Sequence, residues 1–322
     1  MKEKIDYINN SFKDYFLSKK YVLINNIDIS SGADNTVKFI GSAISVMKPL
    51  LLENNINCIG NIIVQRAIRT RALTRINISE KLEWSSYFDA LGVLVPYNRL
   101  EFLVYDSIDF LIKKCNLQES DILIRISSRD KDLIDAIKKI NYNVNLEIDS
   151  KDISYYNHKY GLDDYGIYGR NFNIAIKDKS DSLYKDIGNI IVIESNSQKY
   201  GVEFAIGANA IIMRKEGIPS SVAASSITDI IQLTDDRYYK FADCVAVVSH
   251  LAFENLEKYK NNAKMRSQIY LFHKYLRALK YWQDELKIDY NELLKIIENY
   301  LLLEYQKYDS TIIENNLKLI RN

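Results

Sequence analysis

Three features of the sequence predict an α+β fold that gives way to a helical C-terminal region. Over the first two-thirds, strand-like runs and amphipathic stretches mix without a regular βαβ beat, which argues against a doubly wound sheet. Past Gly217 the β signal fades almost entirely. Beyond Pro219 the chain contains no further Gly or Pro, so little interrupts helix formation. The division is placed at 1–217 and 218–322, and 322 residues suffice for one large or two ordinary domains with a real core.

In chain order, Ile5, Ile8, Phe12, Tyr15 and Phe16 recur at helical spacing and make the opening segment an amphipathic helix. Strand-like runs follow at 21–24, 36–41, 62–68 and 85–95. Residues 100–114 read as a helix, 121–127 as a strand and 130–140 as a further helix. Strands resume at 143–148, 172–177, 189–195 and 201–206. Pro219-Ser220-Ser221 has the form of a helix start, and four or five helices are expected between 221 and 320.

Composition removes several function classes. Lys+Arg 43 against Asp+Glu 42, a net charge of +1, gives no whole-chain attraction to nucleic acid or membrane. A hydrophobic content of 47% excludes global disorder. Cys58, Cys115 and Cys244 are scattered and form no CxxC. That argues against a disulfide scaffold or thiolate zinc site and fits a reducing, cytoplasmic compartment. No apolar run approaches the ~20 residues of a membrane helix, and the opening segment lacks a signal peptide's apolar stretch. His158, His250 and His273 are too dispersed for a metal site, and none is expected.

The most unusual local feature is the set Arg66, Arg69, Arg71 and Arg75, with no acidic residue among them. Such a cluster can cradle a phosphate chain by bidentate, charge-assisted hydrogen bonds. It can equally be a solvated loop. Strand alternation puts Gln65, Ala67 and Arg69 on one face and Arg66 with Ile68 on the other. At most two of these arginines should therefore reach one ligand.

The runs QRAIR at 65–69 and WSSYFDALG at 84–92 follow a segment containing Asp34, Thr36, Phe39 and Lys48. In order and spacing they resemble the catalytic domain of alanyl-tRNA synthetase, a class II aminoacyl-tRNA synthetase. The resemblance covers roughly the first 215 residues and is most specific over 34–92. It implies an antiparallel sheet flanked by helices, ATP with Mg2+ as cofactors, and the possibility of a homodimer. The chain is too short for the editing and C-terminal modules of a complete enzyme of that family, which implies a divergent stand-alone paralogue.

On the matching positions, Arg69 would hold the ATP α-phosphate, with Arg66 and Arg71 beside it. Asp89, where the family has a glutamate, would orient nucleotide or metal. DIGNIIVIES at 186–195 resembles the strand that lines the amino-acid pocket; Asn189 is then a pocket residue, or simply an asparagine at a strand start. Trp84 is either a pocket residue or a buried strand tryptophan. The segment EFAIGANAIIMR at 203–214 matches the family's third motif in its strand–turn–helix character, with Gly207 at the turn. Aligned there, Ala205 stands where the family has an aspartate for the substrate ammonium, and Ile212 where it has an arginine for the γ-phosphate. Glu203 shares the strand face of Ala205 and is the available carboxylate. Arg214 is the available arginine, ~200° further round a helix.

Between Lys258 and Lys280 basic residues occur without an acidic one, interleaved with Tyr259, Tyr270, Phe272 and Tyr275. A helix across this stretch would present a basic face to an RNA backbone, or simply solvate its cations. Lys258, Lys264, Arg266, Lys274 and Arg277 are the acceptor-binding candidates. The readings combine into an enzyme that uses ATP to activate a small amino acid as its adenylate. The product would pass to an acceptor: tRNA, a carrier protein or a small molecule. The alternative is a catalytically inactive paralogue with a regulatory or RNA-binding role, to which the altered third motif points.

Overall fold

A computed structural model describes residues 1–78 and 80–321. Helix α1 (Lys2–Ser18) buries the predicted stripe of Ile5, Ile8, Phe12, Tyr15 and Phe16. The strands are β1 (Val22–Leu23), β2 (Asn61–Ile68), β3 (Tyr87–Val95), β4 (Ile122–Ser127), β5 (Asn145–Asp149), β6 (Asn157–His158), β7 (Tyr168–Lys177), β8 (Tyr184–Glu194) and β9 (Lys199–Gly207). They form one sheet in the order β1-β2-β3-β9-β8-β7-β4-β5, with β6 beside β7. The pairings from β2 across to β4 are antiparallel. The edge pairs β1–β2 and β4–β5 are parallel.

Alternation along the strands sorts the side chains onto two faces. One face buries Ile62, Leu91, Val93, Phe172, Ile190 and Phe204. It lies under α1, α3 (Leu100–Lys113), α4 (Lys131–Lys138) and α5 (Ala208–Glu216), whose apolar residues join the same core. The other face buries Ile63, Ala67, Ala90, Leu94, Ile191 and Ile193 against α2 (Ile44–Leu52) and residues 160–167. This second cover is partial: Phe88, Asn173, Asn189, Ala205 and Gly207 stay half-exposed beyond it.

Close seating of α2 depends on Gly92, where an added Cβ would collide with the Ala43 side chain and crowd Met47. Gly92→Ala is expected to cost on the order of 1–3 kcal/mol through overpacking. The measurement is a lowered urea midpoint with an unchanged slope.

Gly217 ends α5 in the left-handed conformation, φ 69, where only glycine is relaxed. After it come α6 (Asp236–Phe253), α7 (Arg266–Glu285), α8 (Tyr290–Tyr305) and α9 (Ser310–Leu317). Aspartates set three of these starts: Asp235, Asp289 and Asp309 each accept a backbone N–H of the first turn. The core of these helices takes in Ile29, Phe39, Ile68, Ile76 and Tyr87, so it is built jointly with the first third of the chain. No helix among the described residues is long and apolar enough to cross a membrane.

Two expected elements differ. Residues 36–41 form no strand, because Asp34 Oδ1 accepts the Thr36 N–H at 3.0 Å and its hydroxyl at 2.6 Å, curling the chain into a turn. No long helix starts at Pro219 either. Ser220 Oγ donates to Leu82 O at 2.6 Å and Ser221 Oγ to Ser85 Oγ at 2.9 Å, pinning this segment as turns to the loop that leads into β3.

Candidate functional site

The open part of the second sheet face is the candidate site, and Arg69 stands at its edge. Arg69 follows β2 directly, and its N–H donates to Ser86 O at 2.9 Å, which continues the pairing with β3. Its side chain leaves on the face of Gln65 and Ala67, as the alternation predicts. Nε donates to Gly41 O at 3.1 Å, and the guanidinium lies 5.0 Å from the Phe88 ring centroid. Arg71 sits exposed in the following 3-10 turn, Thr70–Thr74. Among the described residues neither arginine is in an ion pair, whereas Arg75 points to Glu80 at 3.9 Å. Surrounding protein and the Arg71 charge lower the Arg69 pKa, while Glu203 opposes them.

His158, on β6, completes this basic corner. Burial and then the charges of Arg69 and Arg71 lower its pKa, so the imidazole is neutral near pH 7 and can donate or accept one hydrogen bond.

Behind Arg69 the cleft wall is a charged brace. Lys48 Nζ pairs with Asp34 Oδ2 at 2.7 Å and donates to Thr36 Oγ1 and Tyr160 O, both at 2.6 Å. Tyr160 in turn donates its hydroxyl to Glu203 Oε2 at 2.7 Å. Asp34, Thr36 and Lys48 thus meet, while Phe39 joins the core of the C-terminal helices. Glu203 is 2% exposed and lies behind the cleft surface. Burial pushes its carboxyl up to about 7, against the lowering influence of Tyr160, Arg69 and Lys48.

A carboxyl raised from 4.5 to about 7 on folding binds its proton more tightly in the native state. Native stability then falls as pH rises through that window. Relative to Glu203→Gln, the wild type should lose on the order of 3 kcal/mol between pH 4 and pH 8. Denaturation midpoints of the two proteins across that range check the sign. Parallel profiles would mean that Glu203 does not titrate between the two values.

The cleft floor is made of small and amide side chains. One row across the sheet pairs Gly92 with Ala205, Ala205 with Asn189, Asn189 with Asn173 and Asn173 with Arg125. Asn189 Nδ2 donates to Asn173 Oδ1 at 2.6 Å, and Asn173 Nδ2 to Asp186 Oδ2 at 3.1 Å. Gly207, the N-cap of α5, lies at the β3 side of this floor, next to Phe88.

No protein-family model matches the chain, and no curated protein matches it either. Several solved structures are similar to it at low identity. Histidyl-tRNA synthetase of S. aureus has 10% identity and a TM-score of 0.44, over 66% of this chain and 69% of that one. A putative threonyl-tRNA synthetase, ThrRS-1 of Aeropyrum pernix, has 13% and 0.46, over 79% and 69%. Pyrrolysyl-tRNA synthetase of Desulfitobacterium hafniense has 9% and 0.43, over 69% and 73%. Likeness at this level says nothing of activity or substrate.

The structure separates other predicted site residues from this cleft. Asp89 and Arg66 are paired neighbours on the opposite face. Asp89 accepts from Asn9 Nδ2 at 2.7 Å and from the Tyr87 hydroxyl at 3.3 Å. Arg66 lies 4.4 Å from the Tyr305 ring centroid and donates to Glu304 O at 3.3 Å. Both belong to the joint between the sheet, α1 and α8. Arg214 is buried and held by Glu83 at 2.9 Å and Asp178 at 3.2 Å, with its guanidinium 5.2 Å from the Trp84 ring centroid. Trp84 is 45% exposed, so it is not a buried strand tryptophan, and its partner is Arg214 rather than Asn189.

The basic tail is not one helix either. Lys258 and Lys264 sit in 3-10 turns, Leu256–Tyr259 and Ala263–Met265, and α7 starts only at Arg266. Tyr160 is a cleft residue that no sequence pattern singles out, and His158, too isolated in sequence for a metal site, is another; Phe88 joins the cleft as the aromatic expected opposite the Arg69 strand, without Asp89 and Tyr87. Phe88, not Asp89, stands opposite Ala67 on the Arg69 face, a register that the alternation of β3 alone does not contain.

Proposed function

We propose that the chain uses ATP to activate a small amino acid as its adenylate and passes it to an acceptor. That acceptor would be a tRNA, a carrier protein or a small molecule. One observation carries the reading: Arg69, fixed by Gly41 O and the Phe88 ring, stands beside Arg71 over an open sheet floor, in no ion pair among the described residues. In the proposed step a carboxylate oxygen of the substrate attacks the α-phosphorus. The bond from that phosphorus to its bridging oxygen breaks, and pyrophosphate leaves with the electron pair. Arg69 would hold the α-phosphate and Arg71 the outer phosphates, acting by position and charge neutralisation. Asn189 and Asn173 would line the substrate end, with Glu203 behind them. Residues 1–217 would form the catalytic unit and 218–322 a helical region closing it.

The guanidinium pair suits the phosphates of ATP. For Mg2+ the chain offers less: among the described residues no group of three metal-ligating side chains occurs. The ion would be held chiefly by phosphates and water, as Mg2+ commonly is, and would neutralise phosphate charge.

A second reading, a paralogue that binds ligand or RNA without catalysis, is favoured by Ala205 on the floor and by Arg214, which Glu83 and Asp178 already hold. Amino-acid-dependent exchange of labelled pyrophosphate into ATP separates the two. Exchange with one or more of the twenty common amino acids supports activation. Nucleotide binding without exchange for any of them supports the second reading.

A further inference from the structure

The outward face of α7 carries a single stripe of cations and aromatic rings. Arg266, Tyr270, Lys274, Arg277 and Tyr281 follow one another at intervals of three or four residues and fall within about 80° of arc at ~100° per residue. All five are exposed, Tyr270 by 54% and Tyr281 by 48%. Lys274 Nζ stands 4.7 Å from the Tyr270 ring centroid. Among the described residues none of the three cations is in an ion pair, although Lys280 nearby is bound to Asp284 at 2.9 Å. The stripe stops at the acidic pair Asp284 and Glu285, where α7 ends. Lys258 and Lys264 extend the positive surface before its start, and Tyr259 adds another ring, 41% exposed.

The opposite face of α7 is bolted to the part of the chain that carries Arg69. Gln268 Nε2 donates to Lys38 O at 2.6 Å, and Trp282 Nε1 to Ile76 O at 3.0 Å. Tyr275 donates to Ser86 Oγ at 2.9 Å, and the carbonyl of Ser86 accepts the Arg69 N–H. One residue thus separates the buried side of α7 from the candidate site.

We propose that this stripe binds single-stranded nucleic acid, with bases stacked on Tyr270 and Tyr281 and phosphates on Arg266, Lys274 and Arg277. Cations alone would suit any polyanion. Rings left in water between them, at helical repeat, suit a ligand that alternates charged groups with flat apolar faces. A duplex keeps its bases stacked inside, and a polyanion without rings, such as polyglutamate, has no such faces to offer. From Arg266 to Tyr281 the stripe runs roughly 22 Å, room for the shortest single-strand sites of about four nucleotides. As the choice of acceptor class this rests on the activation reading; as a binding surface it stands apart from it.

The test is fluorescence anisotropy of the full chain with labelled 15-nucleotide RNA and DNA single strands, the RNA duplex and polyglutamate, at rising salt. The single strands should bind, and more tightly than duplex or polyglutamate. The variant carrying Arg266→Ala, Lys274→Ala and Arg277→Ala should lose affinity by about tenfold or more and flatten the salt slope by about 2. The variant Tyr270→Ala with Tyr281→Ala should weaken single strands by about thirtyfold or more, leaving the salt slope in place. RNA bound more tightly than DNA would mark it as the ligand. The proposal is overturned if the wild type binds no single strand, or if polyglutamate binds as well and the tyrosine variant equals wild type. Wild-type pyrophosphate exchange is measured in parallel. Single-strand binding without exchange would sink the activation reading and leave the surface standing; exchange without binding would do the reverse.

Discussion

Arg69→Ala is expected to lower ATP affinity by on the order of 10- to 100-fold, the worth of a charge-assisted hydrogen-bond pair. If the chain catalyses adenylate formation, exchange should fall further, by about 100- to 1000-fold, because charge stabilisation is greatest in the transition state. Stability should barely change. Removing Arg69 frees only one carbonyl, Gly41 O, in a half-exposed segment, and relieves repulsion with Arg71. Arg69→Lys should sit between the two, keeping the charge but losing the planar fork and its stacking on Phe88. Isothermal titration with ATP and a denaturation curve on each variant decide the matter. ATP affinity unchanged in Arg69→Ala would remove this residue from any nucleotide site.

Lys48→Met should be the most damaging single change to the fold around the cleft, costing about 3–5 kcal/mol. The Lys48 side chain is 7% exposed and that of Asp34 1%, so the substitution strands a buried carboxylate. Lys48 also holds Tyr160 O, so the brace behind Glu203 slackens at the same time. Adding Asp34→Asn to Lys48→Met should recover part of the loss, since no buried charge is then left alone. A double variant less stable than Lys48→Met would contradict that account, as would a single-variant cost below about 1 kcal/mol. Urea denaturation of the wild type and both variants supplies all three numbers.

Most of the elements that periodicity announces are in the structure; the strand expected at 36–41 and the helix expected at Pro219 are not. Helix α1 carries its stripe, β2 and β3 fall where β-branched and aromatic residues cluster, and the helices after Asp236 follow from a stretch without Gly or Pro. Helix α2 was not legible: ISVMKPLLL is apolar nearly throughout and contains Pro49, so neither spacing nor propensity marks it. Its place is set by tertiary packing on Gly92. The alternation of β2 correctly divided Arg69 from Arg66. The same rule could not place Asp89, because its face depends on β2–β3 register, which one strand alone does not contain. Arg214 illustrates a different limit. Its partners Glu83 and Asp178 are distant in sequence, and only the fold makes them neighbours.

Strand β2 is flanked by two different environments. On one side Arg66 is wedged against Tyr305 and the Glu304 carbonyl; on the other, three residues later, Arg69 projects over Phe88. Inserting or deleting one residue within Asn61–Ile68 would turn over everything beyond it. One guanidinium would leave its ring and the other would enter a closed joint that already holds Lys2 and Glu304. The strand can therefore tolerate changes of side chain far better than changes of length. In a family of sequences descended from this one, gaps should fall in the turns on either side and spare these eight positions.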